Sequence, residues 1–246
     1  MIPDPSRPAA MNPHELQSLP LAPRLPSTAV LAIWNDIDPE IASEYELWYQ
    51  HDHIRDRAGT PGFRSARRYQ RVAGAGREYF TFSDLESIEA SRSPAYLERL
   101  RNPTEWTRRM MPHFRRLIRT ASHVSADCGE GTGGIAGTAV FDTVAGDRLA
   151  AIRTLIQAEA ERAVRQAGIT RLRLFEGDAQ ATGVPNPEAA LRPDPPRTAG
   201  LALVLEGTSG KAVADQLRNL CAMPLLAALP EVMPASIYQL IYSSQS

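Results

Sequence analysis

The run Trp48-Tyr49-Gln50-His51-Asp52-His53-Ile54-Arg55-Asp56-Arg57 packs two aromatics, two imidazoles, two acids and two arginines into ten positions. An imidazole exchanges protons near neutral pH and a neighbouring carboxylate can tune it, so His53 with Asp52 or Asp56 could perform acid/base chemistry. The structural alternative is a histidine that caps a helix end, where the negative pole of the helix dipole favours a cation. His51 reads as an exposed neighbour. A His51/His53 metal pair is disfavoured, because residues two apart on a helix point roughly 200° apart. Beyond the break Gly59-Thr60-Pro61-Gly62, Arg67 and Tyr69 sit two apart in a strand-like run and share a face. There a guanidinium could hold a carboxylate or phenolate while the tyrosine hydroxyl donates beside it. Alternatively, Arg67 pairs with an acid on a facing unit. Trp34, Trp48 and Trp106 read either as core aromatics or as walls for an aromatic substrate. His113 is a second acid/base candidate.

The elements that must position these residues follow from pattern. Thr28 to Trp34 is a short continuous apolar run, the signature of a strand buried on both faces. Asp36 or Asp38 can cap the helix that follows, with Pro39 in its first turn. Ile41, Tyr45, Trp48, Asp52 and Arg55 then recur as one helical face. Phe63 to Val72 and Glu78 to Ser83 form a hairpin around Ala73-Gly74-Ala75-Gly76, with Phe63, Ser65, Arg67 and Tyr69 on one side. Leu85 to Leu100, interrupted near Ser93-Pro94, and Thr104 to Met111 read as helical, and Phe114 to Thr120 as a strand. The resulting order, β-α-β-β-α-β over residues 27–123, is the ferredoxin-like plan. A Gly-rich linker over 124–137 precedes a second such unit over 138–246. That unit carries a Pro-rich insertion at 176–199, a length that marks either a functional lid or disorder. Residues 1–26, with seven prolines, read as a flexible arm. Two tandem ferredoxin-like units would each leave one sheet face bare. Packing them sheet to sheet gives an α+β fold, a single-chain α/β barrel.

Composition narrows the function classes. A chain of 246 residues with 43% hydrophobic and 22% charged residues is ordinary for a globular protein. Its net charge of −1 predicts no general affinity for nucleic acid or membranes. No run of about 18 apolar residues and no signal-peptide core occurs. Cys128 and Cys221 have no partner at a metal or redox spacing, so a reducing, cytoplasmic setting is expected. The first half is mildly cationic, with 15 Arg against 13 acids from Ser27 to His123. That balance suits an anionic ligand or simply reflects solvated surface charge. No GxGxxG between strand and helix, Walker loop or G-x-S-x-G elbow is present, which disfavours a bound nucleotide.

The run Trp34, Trp48-Tyr49, Asp52-His53-Ile54, Arg57, Pro61-Gly62-Phe63 and Ala66-Arg67-Arg68-Tyr69, followed by Ser93-Pro94-Ala95-Tyr96, Asn102-Pro103, Trp106-Thr107 and Met111-Pro112-His113-Phe114, resembles the dimeric α/β barrel superfamily, and within it EthD-like bacterial proteins. The likeness covers Ala29 to Thr120 and is architectural beyond. It implies His53 as the acid/base, since EthD-like proteins place a histidine after their Trp-Tyr pair. The superfamily includes cofactor-independent monooxygenases, lactone isomerases, polyketide cyclases and haem enzymes, so it implies fold more narrowly than function. Haem members need an axial histidine, and none follows His123. The expectation is an enzyme without tightly bound cofactor or metal, of isomerase, cyclase or lyase type. His53, Asp52 and Tyr69 would be catalytic, and Arg67, Trp34, Trp48, Trp106 and His113 would bind a small aromatic or lactone-like metabolite, an anionic one included. The alternatives are a small-molecule binding protein and a cofactor-free monooxygenase. A homodimer is left open.

Overall fold

The computed structural model describes residues 28–245, so the expected arm over 1–26 lies outside the described residues. Eight strands form one closed barrel: β1 (Ala29–Ile37), β2 (Phe63–Gly74), β3 (Tyr79–Leu85), β4 (Phe114–Gly129), β5 (Ile135–Phe141), β6 (Ile169–Gly177), β7 (Leu201–Gly207) and β8 (Glu231–Gln245). Their order around it is β1-β3-β2-β8-β5-β7-β6-β4, and every neighbouring pair is antiparallel. The first half contributes β4-β1-β3-β2 and the second β8-β5-β7-β6. The halves join at two ladders, β2 with β8 and β4 with β6, which correspond to each other under a two-fold exchange of the halves.

β1 shows why its apolar run is unbroken. Val30, Ala32 and Trp34 point into the barrel, while Leu31 and Ile33 point out beneath helices, so both faces are buried. The barrel interior is packed with rings: Trp34 stacks on Phe80 at 4.8 Å and Phe80 meets Tyr238 at 5.7 Å. Outside the second half, α5 (Gly146–Ala163) and α7 (Gly210–Cys221) cover the sheet. The α5 residues Ile152, Ile156 and Ala160, at helical spacing, pack over Leu172 and Leu174. Outside the first half lie α1 (Ala42–Trp48), α2 (Ile54–Ala58), α3 (Pro94–Arg101) and α4 (Glu105–Met110). Ser93 and Thr104 cap α3 and α4 by accepting from Tyr96 N and Thr107 N.

Several expectations change. The Gly-rich segment 124–137 is not a linker through its length. β4 continues to Gly129 and β5 starts at Ile135, because the extra strand length is what pairs β4 with β6. Gly129 permits this with φ +95°; a Cβ there would lie 2.1 Å from the Thr170 carbonyl oxygen. A bulge between Phe63 and Ser65 sends Phe63 outward while Ser65, Arg67 and Tyr69 face in. The end of α1 lies outside the barrel, where Trp48 and Tyr49 pack with Phe114 and Leu117. The Pro-rich insertion is folded: it contains α6 (Ala179–Thr182) and a 3-10 turn at Pro187–Leu191. It leaves the second half and lies along β4 of the first. Arg197 N donates to Leu117 O at 2.8 Å, Arg119 N to Arg197 O at 3.0 Å, and Ala199 N to Thr120 Oγ1 at 2.7 Å.

Candidate active site

Between α1 and α2 the backbone widens into a single π-helical turn, Tyr49–His53. A π turn inserts one residue into the helical repeat, so the buried face advances by one position beyond it. Before the turn Tyr45 and Trp48 face inward; after it the buried residues are His53, Ile54, Arg57 and Ala58. Asp52 and Arg55, which uninterrupted periodicity places inward, are instead half-buried and exposed. Asp52 accepts from Thr104 Oγ1 at 2.5 Å on the outer side. The turn therefore aims His53 at the outer face of the first-half sheet.

There a small chamber of about 40 Å³ opens between sheet, helices and insertion. Its polar lining is His53, Arg57, Thr81, Ser83, Tyr96, Arg119, Asn186, Glu188 and Arg192, set among apolar groups such as Leu31, Ile54, Phe63 and Phe114. The insertion contributes three of these residues. Arg57 donates to Glu188 Oε1 across the gap between helix and insertion, and to Asp56 Oδ2 at 2.8 Å. Arg119 Nη2 donates to Tyr96 Oη at 3.2 Å. The Arg192 side chain is 7% exposed, yet its Nε and Nη1 have no hydrogen-bond partner, and neither has Thr81 Oγ1.

His53 is held by rings: Trp48 lies 4.2 Å away and Tyr49 5.1 Å away, centroid to centroid. No hydrogen bond joins its imidazole to another described residue. Burial pushes its pKa well below the ordinary imidazole value, and Arg57, Arg192 and Arg68 push the same way. The resting imidazole is therefore neutral at neutral pH, the form in which one ring nitrogen can accept a proton. Burial likewise lowers Arg192; it opposes Arg57 too, but there Glu188, Tyr96 and Asp56 together outweigh it and the pKa is raised. Such a site can take a proton from a bound O–H or C–H and stabilise the anion left behind with adjacent guanidiniums.

Most other expected site residues lie elsewhere. Arg67 is inside the barrel, donating to Glu206 Oε1 at 2.8 Å and to Asp84. Arg173 completes a ring, donating to Asp84 Oδ1 at 2.8 Å and Glu206 Oε2 at 2.9 Å. Arg67 is thus the partner of an acid on the facing half, the second of its two sequence readings. Tyr69 donates to the same Glu206 at 3.0 Å, and burial raises its pKa. Trp34 donates to Thr138 Oγ1 at 3.2 Å within the barrel. Trp48 backs His53 but donates its indole N–H to Thr107, and Trp106 donates to Glu44. His113 contacts Asp38 at 3.0 Å beside Arg115, apart from the chamber lining. Of the eight, only His53 lines the chamber. Glu188 and Arg192 were missed because nothing local in the sequence shows that the insertion crosses to the other half, and Thr81 and Arg119 because they lie on β3 and β4 outside any motif.

A haem does not fit the described residues. The space between the second-half sheet and its helices is filled by Ile152, Ile156, Leu172, Leu217 and Leu220 with no histidine, and the His53 chamber has room for only a few waters. Among the described residues no group of three His, Cys, Asp or Glu is placed to hold a metal, and no helix is long and apolar enough to cross a membrane. Cys128 and Cys221 are free thiols.

No protein-family model and no curated protein sequence matches this chain. Solved structures do. An anthrone oxidase-like protein superposes with TM-score 0.61 at 13% identity, covering 92% of this chain and 96% of its own. A candidate monooxygenase from Fusobacterium nucleatum subsp. nucleatum gives 0.52 at 10%, covering 89% and 95%. A variant chlorite dismutase from Candidatus Nitrospira defluvii gives 0.52 at 9%, covering 89% and 93%. Identities this low carry the fold alone, and with the closed eight-stranded barrel they give this chain the fold of the dimeric α/β barrel proteins.

Proposed function

We propose that this protein is an enzyme that moves a proton on a small aromatic or lactone-like metabolite, as an isomerase, cyclase or lyase, with His53 as its base and no tightly bound cofactor. The supporting observation is the buried, neutral imidazole, with no hydrogen bond to another described residue, facing a chamber that also holds the Thr81 hydroxyl and the Arg192 Nε and Nη1, none of which has a hydrogen-bond partner. Taking the substrate proton would make His53 an imidazolium beside a new enolate or phenolate. That anion offsets the repulsion from Arg57 and Arg192 that keeps the resting ring neutral. Trp48 and Tyr49 fix the ring plane, as a base must be fixed before reaction. Within the barrel fold, the Trp48-Tyr49 pair followed by His53 supports an EthD-like reading. The matching strand orders of the two halves support reading them as tandem ferredoxin-like units.

The chamber is smaller than the roughly 150 Å³ that a benzene-sized ring occupies in a protein cavity. Next to it, a cleft of about 450 Å³ shares Arg119 and Asn186 as lining. Displacing the turn at Pro187–Leu191 would merge the two, so the insertion serves as a lid in this reading. A cofactor-free monooxygenase is the second reading, favoured by the anthrone oxidase-like and monooxygenase-like structures. In it the same base would generate the carbanion that gives electrons to dioxygen. The test is turnover of a panel of phenolic and enolic aromatics, followed by absorbance and by an oxygen electrode. His53→Gln should lower it by about 10²–10⁴-fold with the fold retained. Oxygen uptake selects the monooxygenase; ligand binding without turnover, unchanged in His53→Gln, selects a binding protein and refutes the enzyme.

A further inference from the structure

The charges around the chamber do not balance. Three guanidiniums line it, those of Arg57, Arg119 and Arg192, against one lining carboxylate, Glu188. Arg57 takes Glu188 Oε1 by hydrogen bond, and its other carboxylate, Asp56, is shared with Arg99. Glu188 Oε2 lies 3.8 Å from Arg192 Nη2, beyond hydrogen-bond reach. Arg119 has a tyrosine hydroxyl and no carboxylate within 4.0 Å among the described residues. Arg192, with a side chain 7% exposed, keeps two N–H-bearing nitrogens without any acceptor. A buried cation with free donors is costly until an acceptor or an anion meets it.

We propose that the chamber, opened into the adjoining cleft of about 450 Å³ by movement of the Pro187–Leu191 turn, binds an aromatic monoanion whose charged oxygen, a carboxylate or phenolate, is received by Arg192 with Arg119. The inference rests on the chamber being the substrate site, and it specifies the class of substrate. The apolar walls Leu31, Phe63 and Phe114 suit the ring, and Arg192 reaches the chamber from the insertion, so anion binding and seating of the insertion become one event. Burial also depresses the Arg192 pKa, and a bound anion would relieve that penalty.

The test is calorimetric titration of the whole protein with benzoate and with benzamide, a neutral analogue of nearly the same shape. A second arm uses 4-nitrophenol on either side of its own ionisation. Wild type should prefer benzoate, or the phenolate, by at least about tenfold. Arg192→Leu should lose about ten- to 150-fold of that affinity and with it the preference. Arg192→Lys should restore part, since an ammonium keeps charge but not the planar donor set. Benzoate preference alone identifies a carboxylate and phenolate preference alone a phenolate. Equal affinity for charged and neutral probes in both arms, failure of all probes to bind wild type, or full preference in a folded Arg192→Leu overturns the proposal. If Arg192→Leu does not fold, the wild-type comparison decides. The readout is binding, so an inert His53 leaves it intact, and an active His53 with no anion preference sinks this inference alone.

Discussion

Replacing Arg67 by leucine tests the barrel interior rather than the chamber. Arg67, Asp84, Arg173 and Glu206 form a closed ring of two cations and two anions, in which each carboxylate touches both guanidiniums. Three of the side chains are at most 7% exposed and Asp84 is 9% exposed. Arg67→Leu leaves two buried carboxylates sharing one guanidinium and removes the cation stacked 4.7 Å from the Phe82 ring. Removing one member of a buried pair destabilises by about 3–5 kcal/mol. For a chain of this size that is a fall in melting temperature of roughly 6–20 °C. The pH dependence gives a second readout. Although burial opposes it, Arg173 and Arg67 hold Asp84 and Glu206 below the ordinary carboxylate range. Wild-type stability from this source is therefore present above the unfolded carboxylate pKa and lost as pH falls through the folded values. In Arg67→Leu one carboxylate should rise above its unfolded value, reversing its sign, so the gap between the variants should narrow from neutral pH toward about pH 5. Thermal melting by circular dichroism at both pH values measures this. A drop of less than about 2 °C at neutral pH, or a gap that widens on acidification, would refute the account of the ring.

Two further outcomes are expected. Because burial lowers His53 in the folded state, the unfolded chain takes up its proton first on acidification; stability should fall as pH drops below about 6.5 and level off below the folded value, and His53→Gln should remove that component of the melting profile. Glu188→Gln removes the carboxylate that ties the insertion to Arg57, so limited proteolysis should cut between residues 183 and 198 faster than in wild type while cuts elsewhere keep their rate; equal rates would show that the Arg197 and Ala199 backbone bonds hold the insertion alone.

The strands were legible because burial writes itself into them: the unbroken apolar run of β1 exists because Val30 and Leu31 are buried on opposite faces. His53 was legible because it lies in a dense local motif. What failed was register and distance. One extra residue in the π turn moved Asp52 off the inward face, and one bulge moved Phe63 to the outside, neither of which alters composition or period enough to be read. Arg67 and Arg192 show the deeper limit. Both are arginines flanked by ordinary residues, yet Arg67 meets Glu206 at a sequence separation of 139 and Arg192 meets a chamber built by the other half. Only the closed topology says which guanidinium has its donors taken up by internal carboxylates and which keeps donors without an acceptor.

The same closure bears on association. Each of the eight strands is bonded along both sides, so among the described residues the sheet offers no open edge for a second chain to extend. Two copies could not associate by strand addition, and exchange of a half between chains would require both inter-half ladders to open together. Any homodimer would have to be assembled through helices and loops, leaving the barrel and the chamber of each copy complete. Opening either of those ladders would be what exposes strand edges able to pair with another chain.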